Sequence, residues 1–359
     1  MNKLPKIAII GGGPTGLACA LECERLGVIP HLFESGETVG WEWPSVILLL
    51  NILEVPMGGN IREYIKDIYK IDIQPISPCK EIIMKSQNKQ VKITGNLGYF
   101  YSRGKRKSSL ENQLLNMLKN TPVFYNRPAD YKELSQNYDY VVVATGNERI
   151  SKELGVWEDS GQVHIWSALT LGHYKTDSTT IFFNTEYAGE GYARLTPFDS
   201  FHAIVDLYNI GKDKFETDKL FDNFIKQEGL SHLELKYQML LPPFSTGRVK
   251  KFQVDNVLLA GRTAGLTERL TGTGAIAALG SGIFAARAMI KNKNYETLVK
   301  PLQAHIENVS AFRKIFERLD NDGFDKMVAI TDTPGIKQLL YNTRLNFLDI
   351  VGTILKRIL

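Results

Sequence analysis

Residues 6–34, KIAIIGGGPTGLACALECERLGVIPHLFE, constrain the fold more than any other stretch of the chain. Ile7, Ala8, Ile9 and Ile10 make a continuous apolar run, the pattern of a parallel strand covered on both faces. GGGPTG follows at once. Residues 17–26 then have helical character, Gly27 stops the helix, and 28–33 reads as a second strand closed by Glu34. Gly11, Gly13 and Gly16 fill the spacing G-x-G-x-x-G. Each glycine has its own physical reason in such a unit. The first makes the tight turn, the second lets backbone approach a pyrophosphate, and the third lets helix and strand pack closely. The helix, opening at Pro14 and Thr15, presents free N–H groups to the phosphates. Glu34 lies 23 positions after Gly11, where a carboxylate can accept hydrogen bonds from an adenosine ribose; Ser35 follows it. The unit predicts a dinucleotide site and does not by itself choose between FAD and NAD.

Two further segments extend that site. Residues 138–146, YDYVVVATG, read as a buried strand that ends in Thr145 and Gly146. In open parallel sheets ligands bind at the carboxyl ends of strands. Residues 256–289 read as a strand at 257–260, a turn bracketed by Gly261 and Gly265, then Thr271, Gly272, Thr273 and Gly274 before a helix rich in alanine and glycine. Small residues from Ala277 to Ala286 let that helix lie close to other backbone. Its start at Thr273, Gly274 and Ala275 offers a second electropositive cradle, suited to a flavin pyrimidine edge or a phosphate.

Composition narrows the function classes. At 43% hydrophobic and 23% charged, the chain is an ordinary globular sequence. A net charge of +4 without a long clustered basic face gives no reason to expect nucleic acid as a partner. Cys19, Cys23 and Cys79 make neither a disulfide framework nor a four-cysteine zinc site, which predicts a reducing, cytoplasmic location. No metal site is expected, because the six histidines show no H-E-x-x-H spacing. No G-x-S-x-G elbow supports a serine hydrolase. No targeting segment and no apolar run of membrane-spanning length are expected.

In this order the segments resemble the FAD-dependent oxidoreductases of the para-hydroxybenzoate hydroxylase type, and within them the geranylgeranyl reductase family. The match runs over roughly residues 5–290 by motif order: GGGPTG, Glu34, a GY-x-x-x-R segment at 98–103, D-Y-V-V-x-A-x-G at 139–146, a G-Y-x-W-x-F-P-like strand at 191–197 and the glycine-rich motif at 261–286. The resemblance implies an α/β fold: a Rossmann-type FAD-binding domain, an interleaved antiparallel-sheet substrate domain and a C-terminal helical region. It implies FAD as cofactor, NAD(P)H as a candidate electron donor and hydride transfer through flavin N5. It also points to a small-molecule substrate, isoprenoid or otherwise hydrophobic, reduced at a carbon–carbon double bond. An oxygen-using hydroxylase of the same fold and a catalytically impaired flavin-binding protein are the alternatives. Arg103 or Lys107 would be the cofactor-facing cation. Trp41, Trp43, Tyr192 and Arg194 would line the substrate side, and no catalytic residue is assigned.

The departures from the family pattern carry information. Arg262 stands where the family has the aspartate that holds the ribityl chain, and it can reach a pyrophosphate instead. The stretch after the second strand, GWEWP at 40–44, lacks the family's cysteine. Arg194 and Thr196 replace aromatic residues, which suggests an anionic or polar substrate.

The expected boundaries are 1–71, 98–175 and 245–290 for the FAD-binding domain, 72–97 and 176–244 for the substrate domain, and 291–359 for the helical region. Within these, 198–210 and 214–227 read as helical, the first placing His202 on a helix. Residues 335–359 form a basic amphipathic pattern. Docking on the core or a partner is the first reading, and peripheral membrane contact the alternative.

Overall fold

A computed structural model describes residues 4–55, 59–210 and 214–333. The apolar run forms the strand Ile7–Ile10, every residue of it buried, inside a six-stranded sheet. The strand order is Gln253–Val254, Val257–Leu259, Tyr140–Val143, Ile7–Ile10, His31–Phe33, Val123–Phe124. All neighbours run parallel except Gln253–Val254, which turns back on Val257–Leu259. Two helices meet over this sheet. The first, Pro14–Arg25, follows the glycine loop, and Ala275–Ile290 crosses it so closely that a Cβ on Gly282 would lie 2.2 Å from the Thr15 carbonyl oxygen. This is the close backbone approach that the small residues predict.

The second sheet has nine strands, in the order Glu234–Leu240, Trp157–Leu171, His202–Ile210, Tyr192–Pro197, Ser178–Phe182, Ser77–Lys85, Gln90–Arg103, Ser45–Leu50, with Phe244–Val249 also paired to Trp157–Leu171. It is antiparallel apart from the parallel pair Ser77–Lys85 and Ser178–Phe182. The fold class is therefore the expected one, an α/β chain with an interleaved antiparallel sheet. The sheet draws in more of the chain than the sequence suggests. Ser45–Leu50, residues 98–103, Trp157–Leu171 and Phe244–Val249 all belong to it rather than to cofactor-domain segments.

Residues 198–210 are not helical. His202–Ile210 is a strand whose residues Ala203–Leu207 are all buried. It is covered on both faces, by Phe221 and Phe224 of the helix Lys214–Gln227 beside Val205 and Leu207, and by the cluster around Phe198 and Ile204. A strand buried on both faces loses its alternation and cannot be told from a helix by period alone.

The helical region follows as Tyr295–Ala311, Arg313–Phe316 and Asn321–Thr331. Phe324, Met327 and Val328 cover the antiparallel sheet beside Ile82, Val91 and Ile93. The Asp325 carboxylate accepts from Ser86 Oγ at 2.6 Å and from the Asn88 N–H at 3.0 Å, which fixes that helix to the hairpin between two strands. The basic amphipathic stretch at 335–359 lies outside the described residues. Among the described residues no helix is long and apolar enough to cross a membrane.

Candidate functional site

The glycine loop has the geometry its spacing predicts. Gly11 has φ +106°, in the region glycine favours, and a Cβ there would meet the Ala144 carbonyl oxygen at 2.5 Å. A Cβ on Gly16 would lie 2.0 Å from the Gly11 carbonyl oxygen, so only glycine lets the helix sit on the turn. Gly13 differs from both: a Cβ there would meet nothing within 4 Å. That open space lies at the N-cap of Pro14–Arg25, a helix of 12 residues with no side-chain cap. Glu34 closes the loop from the next strand. Its Oε2 accepts the Gly12 N–H at 2.7 Å, its Oε1 accepts the Gly36 N–H at 2.7 Å, and Ser35 Oγ donates to Oε1 at 3.3 Å. The carboxylate thus orders the loop, and a ribose would share it with these N–H groups.

The two strand-end motifs meet beside this loop. Thr145 Oγ1 lies 3.2 Å from Thr263 Oγ1, which also accepts the Gly146 N–H at 3.2 Å. Gly261 has φ +62° and packs so tightly that a Cβ would lie 2.3 Å from Thr15 Oγ1; its N–H donates to Ser281 Oγ at 2.9 Å. Thr145, Gly146, Gly261 and the GGGPTG turn therefore share one edge of the parallel sheet.

At the second cradle the loop before Ala275–Ile290 is held from inside. The buried Glu268 carboxylate accepts the N–H groups of Leu270, Thr271 and Thr273 at 2.6, 3.0 and 2.9 Å. Thr273 turns its hydroxyl inward, 2.6 Å from Oε1 of the buried Glu54 and 3.2 Å from Glu268 Oε1. Thr273 is thus a brace of the loop, whereas Gly274 and Ala275 keep their place at its helix start. Burial, opposed by the Thr273 hydrogen bond and reinforced by the Glu268 charge, pushes the Glu54 carboxyl up to about 7.

The predicted cations behave differently from one another. Arg103 Nε donates to the buried Glu111 Oε1 at 2.5 Å, so its charge is balanced at home. Lys107 is exposed in the turn before the helix Leu110–Leu115. Arg262 is largely withdrawn from solvent, with its guanidinium 4.4 Å from the Phe244 ring centroid.

Of the substrate-side residues, Trp43 and Arg194 belong to one hydrogen-bonded chain across the antiparallel sheet. Trp43 Nε1 donates to Ser167 Oγ at 3.0 Å, and Ser167 Oγ donates to Asp206 Oδ1 at 2.5 Å. Asp206 Oδ2 accepts from Arg194 Nε at 2.9 Å, and Arg194 Nη2 reaches the Val46 carbonyl at 2.8 Å. Tyr192 stacks on Tyr208 at 4.6 Å and 13°, and its hydroxyl donates to the Thr271 carbonyl at 2.7 Å. Arg194 is therefore not a free anchor for an anionic substrate, because Asp206 neutralises it. Trp41 is 48% exposed and stands apart from this network. Sequence reasoning missed Ser167, Asp206 and Tyr208. Asp206 faces Arg194 directly in the strand pairing, which only the register reveals.

The Arg194–Asp206 pair should be costly to break from one side. Asp206→Ala leaves a buried guanidinium without its carboxylate, and a loss of about 3–5 kcal/mol is expected in urea unfolding. A loss under about 1 kcal/mol would show that the pair is not buried in solution.

The structure is similar to several solved structures over nearly its whole length. One is a geranylgeranyl bacteriochlorophyll reductase-like protein from Thermoplasma acidophilum, with TM-score 0.70, 15% identity and 99% of each chain covered. Another is a p-nitrophenol 4-monooxygenase from Pseudomonas putida, with TM-score 0.66, 14% identity and 99% of this chain and 98% of that one covered. The chain has the fold of these proteins. A flavin-dependent brominase shares it too, with TM-score 0.66, 13% identity and 98% of each chain covered. No family model matches the chain, and no curated protein matches it.

The residues present fit FAD. The open space at Gly13 is a cradle that a side chain would fill, it lies at a helix start without a side-chain cap, and Glu34 is anchored beside it. Gly11, Gly13, Pro14, Thr15, Gly16, Glu34 and Ser35 would hold the adenosine diphosphate half. Thr145, Gly146 and Gly261 would line the strand ends, with Gly274 and Ala275 beneath the flavin. Among the described residues no cluster of metal-ligating side chains occurs.

Proposed function

We propose that this chain is an FAD-dependent oxidoreductase that acts on a neutral, hydrophobic small molecule. In this reading the substrate is an isoprenoid-type compound reduced at a carbon–carbon double bond, and NADPH or NADH is the donor. The bound flavin supplies the hydride chemistry, and the protein positions and shields it. One observation carries the substrate class. The antiparallel sheet, tied to the loop before Ala275–Ile290 by the Tyr192–Thr271 hydrogen bond, has its only arginine from the substrate strand neutralised by Asp206, and carries Trp43 and the stacked Tyr192 and Tyr208. A surface of aromatic carbon whose strand arginine is already paired suits an apolar ligand, because that arginine offers an anion no free charge. Similarity over whole chains to a reductase-like protein supports the same reading.

The fold is shared with monooxygenases, and a hydroxylase is the second reading. The distinguishing experiment is anaerobic reduction of the FAD-loaded protein followed by addition of an unsaturated isoprenoid alcohol. Reoxidation of the flavin without oxygen is expected of a reductase. Reduction that requires an aromatic compound, with reoxidation only by oxygen, would establish the hydroxylase instead.

A further inference from the structure

We propose that Arg262 is the counter-cation of the FAD diphosphate. The inference rests on the FAD reading above. Three observations place the charge. First, Gly261 is wedged against Thr15 in the first turn of the helix Pro14–Arg25, so the Arg262 backbone leaves from the helix start at the glycine loop. Second, the guanidinium has no carboxylate or carbonyl partner among the described residues. It lies over the Phe244 ring, which offers its N–H donors no lone-pair acceptor. Third, it lies within the field of Arg103, whose only carboxylate partner among the described residues is Glu111. Two cations and one anion leave one positive charge unbalanced inside the crevice.

A guanidinium partly withdrawn from water with its donors unpaired is unfavourable, and desolvation together with the neighbouring Arg103 charge lowers its pKa to about 10. The unliganded protein therefore carries an electrostatic cost that an anion would relieve. Guanidinium and phosphate match as planar fork and tetrahedral acceptor. The open cradle at Gly13 is where the fold sets such a phosphate. A substrate anion is the weaker choice, since the substrate-side arginine is already paired with Asp206.

The test compares binding of FAD and of riboflavin, which lacks phosphate, by quenching of flavin fluorescence at low and high salt. Wild type, Arg262→Gln, Arg262→Lys and Arg262→Asp are compared. Arg262→Gln is expected to weaken FAD by about 10- to 100-fold, the range of one charge-assisted hydrogen bond, and to flatten the salt dependence. Riboflavin affinity should not change, and Arg262→Lys should keep most of the FAD affinity. A structural readout accompanies this. Unliganded Arg262→Gln should melt at a higher temperature than the wild type, because an unpaired, partly desolvated charge has been removed. Unchanged FAD affinity in Arg262→Gln, or tighter binding in Arg262→Asp, would overturn the proposal. Equal weakening of FAD and riboflavin would overturn it too, by showing a general loss of the site. Wild-type protein that binds neither flavin would refute the FAD reading itself, a pattern distinct from these.

Discussion

Gly13→Asp leaves the unliganded protein as stable as the wild type and abolishes FAD binding. The backbone at Gly13, with φ −78° and ψ −179°, is extended and open to any residue, and a Cβ there meets nothing within 4 Å. Gly13 is also the N-cap of Pro14–Arg25, a position where aspartate is favoured because its carboxylate accepts the first free N–H groups. Without ligand the substitution should be neutral or stabilising by a few tenths of a kcal/mol. With ligand it fills the cradle and sets a negative charge against a diphosphate. A loss above about 100-fold in FAD affinity is expected, from like-charge repulsion in a poorly solvated site. Gly16→Ala provides the contrast. Its Cβ would lie 2.0 Å from a backbone oxygen, so the unliganded protein itself should lose about 3 kcal/mol. Thermal melts paired with FAD titrations separate the two. A Gly13→Asp protein that still retains FAD would show that the cradle does not receive the diphosphate.

Stability should fall as pH rises through neutrality, and Glu54 should account for the fall. Its carboxyl is raised from 4.5 to about 7, chiefly by burial, so the folded state holds a proton that the unfolded state has released. The stabilisation is full below about pH 4.5 and is lost as pH rises through about 7. A shift of that size corresponds to about 3 kcal/mol. The geometry gives the reason. Thr273 Oγ1 lies close to both Glu54 and Glu268, yet a hydroxyl has one proton to donate. With Glu54 protonated the bridge is complete, because Glu54 donates to Thr273 and Thr273 donates to Glu268. With both carboxylates charged, Thr273 can donate to only one of them, and the Glu54 charge faces that of Glu268, which keeps the N–H donors of its own loop. Tyr69 adds a neutral hydroxyl nearby, and His305 touches the same short helix through the Leu53 carbonyl, 2.7 Å from its Nε2. Glu54→Gln keeps a donor toward Thr273 and cannot ionise. Urea unfolding from pH 5 to 8 should show the decline in wild type and a much flatter profile in Glu54→Gln. Parallel declines would assign the effect to another group.

The parts legible in the sequence are those set by local spacing. GGGPTG lies between an apolar strand and a helix, and Glu34 closes the unit, so the parallel sheet and its carboxyl edge follow from residues 6–34 and 138–146. The small residues of Ala275–Ile290 announce its close crossing in the same way. The missed features are pairings that only the folded geometry reveals, near or far in sequence. Arg194 looks like a free cation until the hairpin register sets Asp206 opposite it. Glu54 and Thr273 are 219 positions apart, and nothing near either one signals a bridge. Arg103 looks like a cofactor ligand because its partner, Glu111, sits on the next helix. His202–Ile210 was obscured by burial on both faces, which removes the alternation that marks a strand.

FAD binding is read most simply from the absorption spectrum of the purified protein after incubation with FAD and removal of the free flavin. The account predicts retained bands near ~370 and ~450 nm, about one flavin per chain, and bleaching on anaerobic addition of NADPH or NADH. A colourless protein that takes up no FAD would contradict it, and would leave the glycine loop and Arg262 as parts of a site for some other anion.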